Sequence, residues 1–386
     1  MKLLLLNYEY PPLGGGAGTA TQIISRQLAK MGHRVDIITS NTRFSFNYVY
    51  DNGVNVYFVP SLRKGIHNCG LRGAFTYLFF AYFKLLKLVR HNKYDLIHYF
   101  FSLPTAFLSI IPGKHTKLPY IVSLRGSDVP NYDIYNKKLQ LLHKLFLPLT
   151  KFIWKHAKAT IAVTNSLKQT ALLINPKQSI YVIPNGINTN IFSPNSIEQR
   201  NDHEFRLITV SRLIERKGIQ YILNALAEIE DDSIQLMIIG EGDYENELKI
   251  LCGNLKLNNQ VTFIGYRERR TIPSYFAQSD VFILPSLAEA FGNVIAEAMA
   301  CGLPIIGADE GGIPDLVDKE NGVLVKPGNV EQIKSAIIFM KNNKNLRIEM
   351  GKNNAAKMEQ NYRWERVALS YENIYKESLN GVYRKN

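Results

Sequence analysis

The 386 residues exceed what one hydrophobic core usually supports, and 46% are hydrophobic, so a globular chain of two domains is expected. The net charge of +13 favours anionic partners: nucleotide phosphates, acidic lipids or nucleic acid. Cys69, Cys252 and Cys301 are scattered and odd in number, which excludes a disulfide framework or a cysteine metal site and suggests a reducing compartment; a signal peptide and a transmembrane helix are not expected either.

In chain order, residues 2–7 are a continuous apolar run of strand length, and helical spacing over 19–31 (Ile23, Ile24, Leu28) follows until Gly32 ends it. Further strands are predicted at 34–39, 54–59, 96–99, 120–124 and 160–163, with helical patterns between most of them. Such alternation predicts a parallel α/β sheet covered on both faces. Tyr181 to Asn188 ends a strand in a turn, and the polar stretch 193–203 reads as a linker. A second strand series follows at 205–210, 235–239, 261–264, 281–284, 304–307 and 322–325. The charged tail from about Glu365 has a helical pattern and could lie back across either domain. The expected division is 1–192, 193–364 and a helix at 365–386.

Glu289 and Glu297 are the most informative pair. The first lies in a loop rich in Pro, Ser and Gly, the second in an apolar, Ala-rich run that reads as a helix. Eight helical steps would leave two side chains roughly 80° apart, so they would not stack on one face. The layout suits a ligand with separate parts: one for each carboxylate, and an anion between them on the free N–H groups of Phe291 to Val294. Arg212 and Lys217 follow the first strand of the second series. There they could stabilise a leaving diphosphate without proton transfer, and a solvated basic loop is the plain alternative. Arg216 in the same loop is expected to be solvated.

Gly14, Gly15, Gly16 and Gly18 lie between the first strand and the first helix, where backbone N–H groups can approach an anion. The dinucleotide fingerprint fails, because Thr19 takes its third glycine position and no acid ends the second strand. An ordinary tight turn is the alternative. Glycine or charged turns also follow other strands: Gly240 to Asp243, Gly265 to Arg267, Gly311 to Asp315, and Arg125 to Asp128. Their distribution suits a two-domain cleft.

In order and combination these motifs resemble the retaining family 4 glycosyltransferases over most of the chain. The resemblance rests on Pro11 to Gly18, Ile183 to Asn188, Ser211 to Gly218, Ile238 to Asp243, Glu289 to Glu297 and Gly311 to Val317. It implies the GT-B fold, two facing Rossmann-like doubly wound domains with an interdomain cleft, the C-terminal helix crossing back to the first. It also implies that Arg212 and Lys217 bind the donor diphosphate, Glu289 the donor sugar hydroxyls and Glu297 the ribose. Ala290, Phe291, Gly292, Asn293 and Val294 would meet sugar and phosphate, Gly15 and Gly16 the diphosphate, and Tyr266 and Arg267 the base. Many members carry His where this chain has Arg125, so donor preference does not carry over there; Arg125 is assigned to the acceptor or a donor phosphate, and Asp128 to the acceptor side. Glu289, Arg212, Lys217 and Arg125 are the candidate catalytic set.

The expected activity is transfer of a sugar from a nucleoside diphosphate, UDP ahead of GDP, to a hydroxyl of a glycan or lipid-linked acceptor, with retention and without a metal or other cofactor. A GT-B epimerase, a phosphorylase and a non-catalytic nucleotide-sugar-binding protein are the rivals. The stretches 71–91 and 137–156 mix leucines and aromatics with lysine. They read either as an interfacial surface for anionic lipid or as core helices with solvated rims. Nucleic acid is not expected, since no recognition motif supports it. The expected location is cytoplasmic, peripheral on the inner face of the membrane if the lipid reading holds.

Overall fold

The computed structural model describes residues 1–66, 68–134, 136–194 and 204–380, and the chain divides into two compact units. The first holds Met1–Gly186 and the chain from Trp364 onward; the second is Ile187–Arg363.

In the first unit the order is β1 (Lys2–Leu6), α1 (Gly16–Lys30), β2 (Arg34–Ser40), β3 (Asn47–Asp51), β4 (Val54–Val59), α2 (Gly70–His91), β5 (Leu96–Phe100), β6 (Tyr120–Leu124), α3 (Lys137–His156), β7 (Ala159–Ala162), α4 (Asn165–Ile174) and β8 (Ile180–Val182). The sheet runs β3-β4-β2-β1-β5-β6-β7-β8 and is parallel except for β3. Its central strands are apolar along their whole length because helices cover both faces. Leu3, Leu5, Val35 and Ile37 pack one face against Ile24 and Leu28 of α1 and against Trp364, Tyr371 and Tyr375 of the C-terminal helix. Burying each such side chain stabilises the unit by roughly 1.5–3 kcal/mol.

The second unit contains β9 (Phe205–Val210), α5 (Ile219–Ile229), β10 (Ile234–Ile239), α6 (Glu245–Asn254), β11 (Val261–Gly265), α7 (Ile272–Phe276), β12 (Val281–Leu284), α8 (Asn293–Ala300), β13 (Ile305–Ala308), α9 (Ile313–Leu316), β14 (Gly322–Val325), α10 (Val330–Asn342) and α11 (Lys344–Asn361). Its sheet is parallel throughout, in the order β11-β10-β9-β12-β13-β14. The order reverses between β9 and β12. A crevice therefore opens outside their carboxyl ends, where open α/β sheets bind ligands. The last helix, α12 (Trp364–Asn380), returns to the first unit.

Two expectations change. The first boundary falls at Gly186 rather than 192, because the Ile187 N–H donates to the Tyr362 carbonyl (2.6 Å), Ile187 bridges Arg363, and Phe192 is buried in the second unit. The stretch 195–203 of the expected linker lies outside the described residues. The β3–β4 hairpin was not predicted; its tight turn uses Asn52 and Gly53, both at positive φ, the pair a two-residue hairpin demands. Among the described residues no helix is long and apolar enough to cross a membrane.

Candidate functional site

The site is assembled at the β9/β12 switch point by loops that hold each other. After β9 the chain makes a 3₁₀ turn over Glu215–Lys217, and the Arg216 carbonyl accepts from the Leu287 N–H (2.8 Å) in the loop after β12. That join places Lys217 Nζ 2.5 Å from Glu289 Oε2. The neighbouring glycine turns fix the two loops. The Gly312 N–H donates to the Glu289 carbonyl (2.7 Å), and a Cβ on Gly311, at φ +61, would lie 2.2 Å from that same oxygen. Gly240, at φ +136, lies so close to the Arg212 loop that a Cβ would sit 1.8 Å from the Ser211 carbonyl oxygen. The Leu213 N–H donates to the Glu241 carbonyl beside it. The glycines that follow β10 and β13 are thus scaffolding for Arg212, Lys217 and Glu289.

Glu289 is half-buried in its loop. Burial alone would raise its carboxyl, but the charge and hydrogen bond of Lys217, with the Arg216 charge and the Gly292 N–H, hold it below the usual carboxylate value. Gly292, at φ 88, opens α8 and has no side chain to cap it, and the backbone of the first turn, from Asn293 and Val294, follows directly on the Glu289 loop. Phe291 is buried, its ring 6.3 Å from that of Tyr362, and anchors the turn. Ala290 sits half-buried beside Glu289.

Glu297 is a turn further along α8 and is itself buried. Burial pushes its carboxyl above the usual value, and the ion pair with Arg269 offsets only part of that. The two glutamates therefore differ: one carboxyl is held below the usual value, the other above it. Arg269 also lies 5.4 Å from the centre of the Phe192 ring. Tyr266 is exposed, and Arg267 donates from Nε to the Tyr275 hydroxyl (2.9 Å) and from Nη1 to the Tyr266 carbonyl (2.8 Å). Arg212 is exposed at the end of β9. Arg216 is not solvated as expected: it is half-buried, and its charge acts on Glu289.

In the first unit Gly15 precedes α1 and its N–H donates to the Glu9 carboxylate (3.3 Å), while Gly16 begins the helix. Arg125 and Asp128 are both buried in the first unit. Arg125 is 7% exposed, with Nη1 donating to Asn185 Oδ1 (2.8 Å), Nη2 to the Tyr371 hydroxyl (3.4 Å) and the guanidinium 4.9 Å from the Phe100 ring centre. The buried Asp128 accepts from the backbone N–H groups of Ser102 (2.6 Å), Arg125 (2.8 Å) and Gly126 (3.0 Å). Burial raises its pKa to about 6 against those donors. Next to them the buried His98 bridges the Tyr375 hydroxyl and Ser123 Oγ, both at 2.8 Å. Burial and the Arg125 charge hold its pKa well below the ordinary value, so it is neutral. Arg125 thus ties the end of β6 to α12.

Sequence reasoning missed Arg269 and Glu9. The run Arg267 to Arg270 after β11 was a usable signal for the first. Among the described residues no group of three or more His, Cys, Asp or Glu side chains is placed to hold a metal ion.

Residues 194–357 match the family described as "Glycosyl transferases group 1", and residues 14–191 match "Glycosyltransferase Family 4". An uncharacterized glycosyltransferase of Methanocaldococcus jannaschii is 30% identical across 97% of this chain and 98% of its own length. The N-acetyl-alpha-D-glucosaminyl L-malate synthase of Bacillus anthracis is 26% identical over 98% of both. The sucrose-phosphate synthase of Thermosynechococcus elongatus superposes with a TM-score of 0.84 at 22% identity, over 99% of this chain and 100% of that one.

Proposed function

Because the chain belongs to the family 4 glycosyltransferases, with their two Rossmann-like domains, we propose that it transfers a sugar with retention from a nucleoside diphosphate, UDP ahead of GDP, to a hydroxyl of a glycan or lipid-linked acceptor. The observation that carries this reading is the Lys217–Glu289 pair beside the glycine-started α8. On donor binding Lys217 turns from Glu289 to the diphosphate, and the Glu289 carboxyl, freed from it, meets hydroxyls of the donor sugar. Arg212, Lys217 and the α8 N–H groups meet the charge that develops on the leaving diphosphate, so the reading calls on no metal. A front-face displacement, in which the leaving phosphate takes the proton of the attacking hydroxyl, needs no general base from the protein. Glu297 receives the ribose hydroxyls, and Tyr266 and Arg267 edge the base. The chain would then work among cytoplasmic sugar nucleotides.

The acceptor divides this reading. The basic, apolar helices α2 and α3 favour a lipid-linked hydroxyl. The whole-length match to an N-acetyl-alpha-D-glucosaminyl L-malate synthase favours a small carboxylate-bearing alcohol as the second reading. A panel of UDP- and GDP-sugars, scored for nucleoside diphosphate release with lipid extract, oligosaccharide or malate, separates them. Acceptor-dependent release with at least one donor is expected. No release with any combination would overturn the transferase reading.

A further inference from the structure

We propose that the face of the first unit formed by α2 and α3 docks on an anionic lipid bilayer, its exposed apolar rows entering the interface and its lysines and arginines meeting lipid phosphates. The charge of the chain is concentrated in the stretch of sequence that contains both helices. Residues 52–186 carry 18 Lys and Arg against three acids, Asp95, Asp128 and Asp133, leaving 28 basic and 30 acidic residues for the rest. The net charge of +13 is therefore a property of this one stretch. One charge of each sign in this stretch, Arg125 and Asp128, is buried.

Helix α2 is solvent-facing in the wrong way for a solvated surface helix. Its buried row, Tyr77, Ala81, Leu85 and Leu88, seats it on the sheet. Its outward row is Leu71, Phe75, Phe79 and Phe83, four residues apart and all exposed, Phe75 at 73%. Phe80 extends the row sideways, with Phe44 and Phe46, themselves exposed, at 5.5 and 5.7 Å between ring centres. Large apolar groups in a contiguous exposed patch mark an interaction surface. The helix contains no acid, and Arg72, Lys87 and Arg90 lie exposed along it. At its start a cavity of about 310 Å³ is lined by Arg63, Lys64 and Arg72. Helix α3 repeats the pattern: Leu141, Leu145 and Phe152 are exposed among Lys138, Lys144 and Lys151, again with no acid in the helix. Both helices pack against the 3₁₀ turn Thr105–Ile110, which sets the two helices in one region of the unit.

A cationic helix with an aromatic face is what lies in a bilayer interface, apolar side down, and α2 at 1.5 Å per residue offers roughly 33 Å of it. A second copy of this chain fits poorly. A symmetric contact sets a surface against itself, and helices without acids would bring lysine to lysine. The proposal deepens the preceding reading by naming how a lipid-linked acceptor is approached. Binding to vesicles needs no sugar donor, so either idea can fail without the other.

The full chain should co-sediment with phosphatidylglycerol-containing vesicles at low salt and release as salt rises, with little binding to phosphatidylcholine alone. Combining Phe75→Ser, Phe79→Ser and Phe83→Ser should weaken binding by about a hundredfold. Lys87→Glu with Arg90→Glu and Lys144→Glu should weaken it at least about tenfold and flatten the salt dependence. Should the phenylalanine variant fail to fold, as judged by circular dichroism, Leu141→Ser with Leu145→Ser on α3 gives the same test. Absence of binding to the anionic vesicles, equal binding to neutral ones, or folded variants that bind as the parent does would overturn the proposal. So would light scattering that shows a dimer of the parent chain abolished by the same substitutions.

Discussion

At the scale of single residues, Glu289 and Glu297 carry opposite electrostatic settings, and those settings make separate predictions. Lys217→Ala and Glu289→Ala should each lower turnover at least about 100-fold, close to 3 kcal/mol of lost transition-state stabilisation, with the circular dichroism spectrum unchanged. Near-parental turnover of either would remove the assignment. Glu297 has its pKa raised by burial and partly restored by Arg269, and under the proposed function its ionised form accepts the ribose hydroxyls. Nucleotide affinity is then present above that pKa and lost as pH falls through it. Arg269→Ala removes the offset, so the acid limb of UDP affinity should move to higher pH, read by calorimetry across a pH series. A limb that stays in place would sever Arg269 from this role. Lys217 and Glu289 were legible in the sequence because each stands in a compact local motif. Their contact was not, since it depends on two loops 72 residues apart. The packing of Arg125 was not legible for the same reason: its partner Tyr371 is 246 residues away, and nothing local says that the guanidinium turns inward.

At the scale of elements, the apolar strands of both sheets could be read directly, because helices on both faces leave them no polar alternation. The hairpin strand β3 escaped because its residues are mostly exposed, so burial imposes no pattern on it, although Asn52 and Gly53 announced the turn. The glycine turns were located but their purpose was not. In the folded unit they are close-approach points that brace the Arg212 and Glu289 loops. Gly240→Ala should therefore destabilise the second unit by roughly 2–3 kcal/mol and lower activity with it, since the new Cβ meets backbone rather than a movable side chain. Gly253→Ala in α6, where a Cβ meets nothing within 4 Å, should instead be neutral or stabilise by about 0.5–1 kcal/mol. Chemical denaturation of the two variants side by side checks the contrast. Equal effects would mean that the turn yields more readily than its geometry suggests.

At the scale of the whole molecule, the first unit is incomplete without its C-terminal helix. Trp364, Val367, Tyr371 and Tyr375 are all buried against it, and the Tyr375 hydroxyl contacts the neutral His98. A chain ending at Arg363 should lose the cooperative unfolding of the first unit in calorimetry while that of the second persists; two intact transitions would count against this dependence. The second unit has the reverse character. It begins at Ile187 and ends at Arg363, and those two residues lie side by side in a β-bridge. A fold whose entry and exit coincide is topologically a closed cassette, carried by the other as an insertion. Residues 187–363 should accordingly form a folded, nucleotide-binding fragment when made alone, and failure of that fragment to bind UDP would refute its autonomy. Joined ends also leave the cassette exchangeable. Nature or an engineer could swap it, and the donor it selects, by cutting the host at a single point.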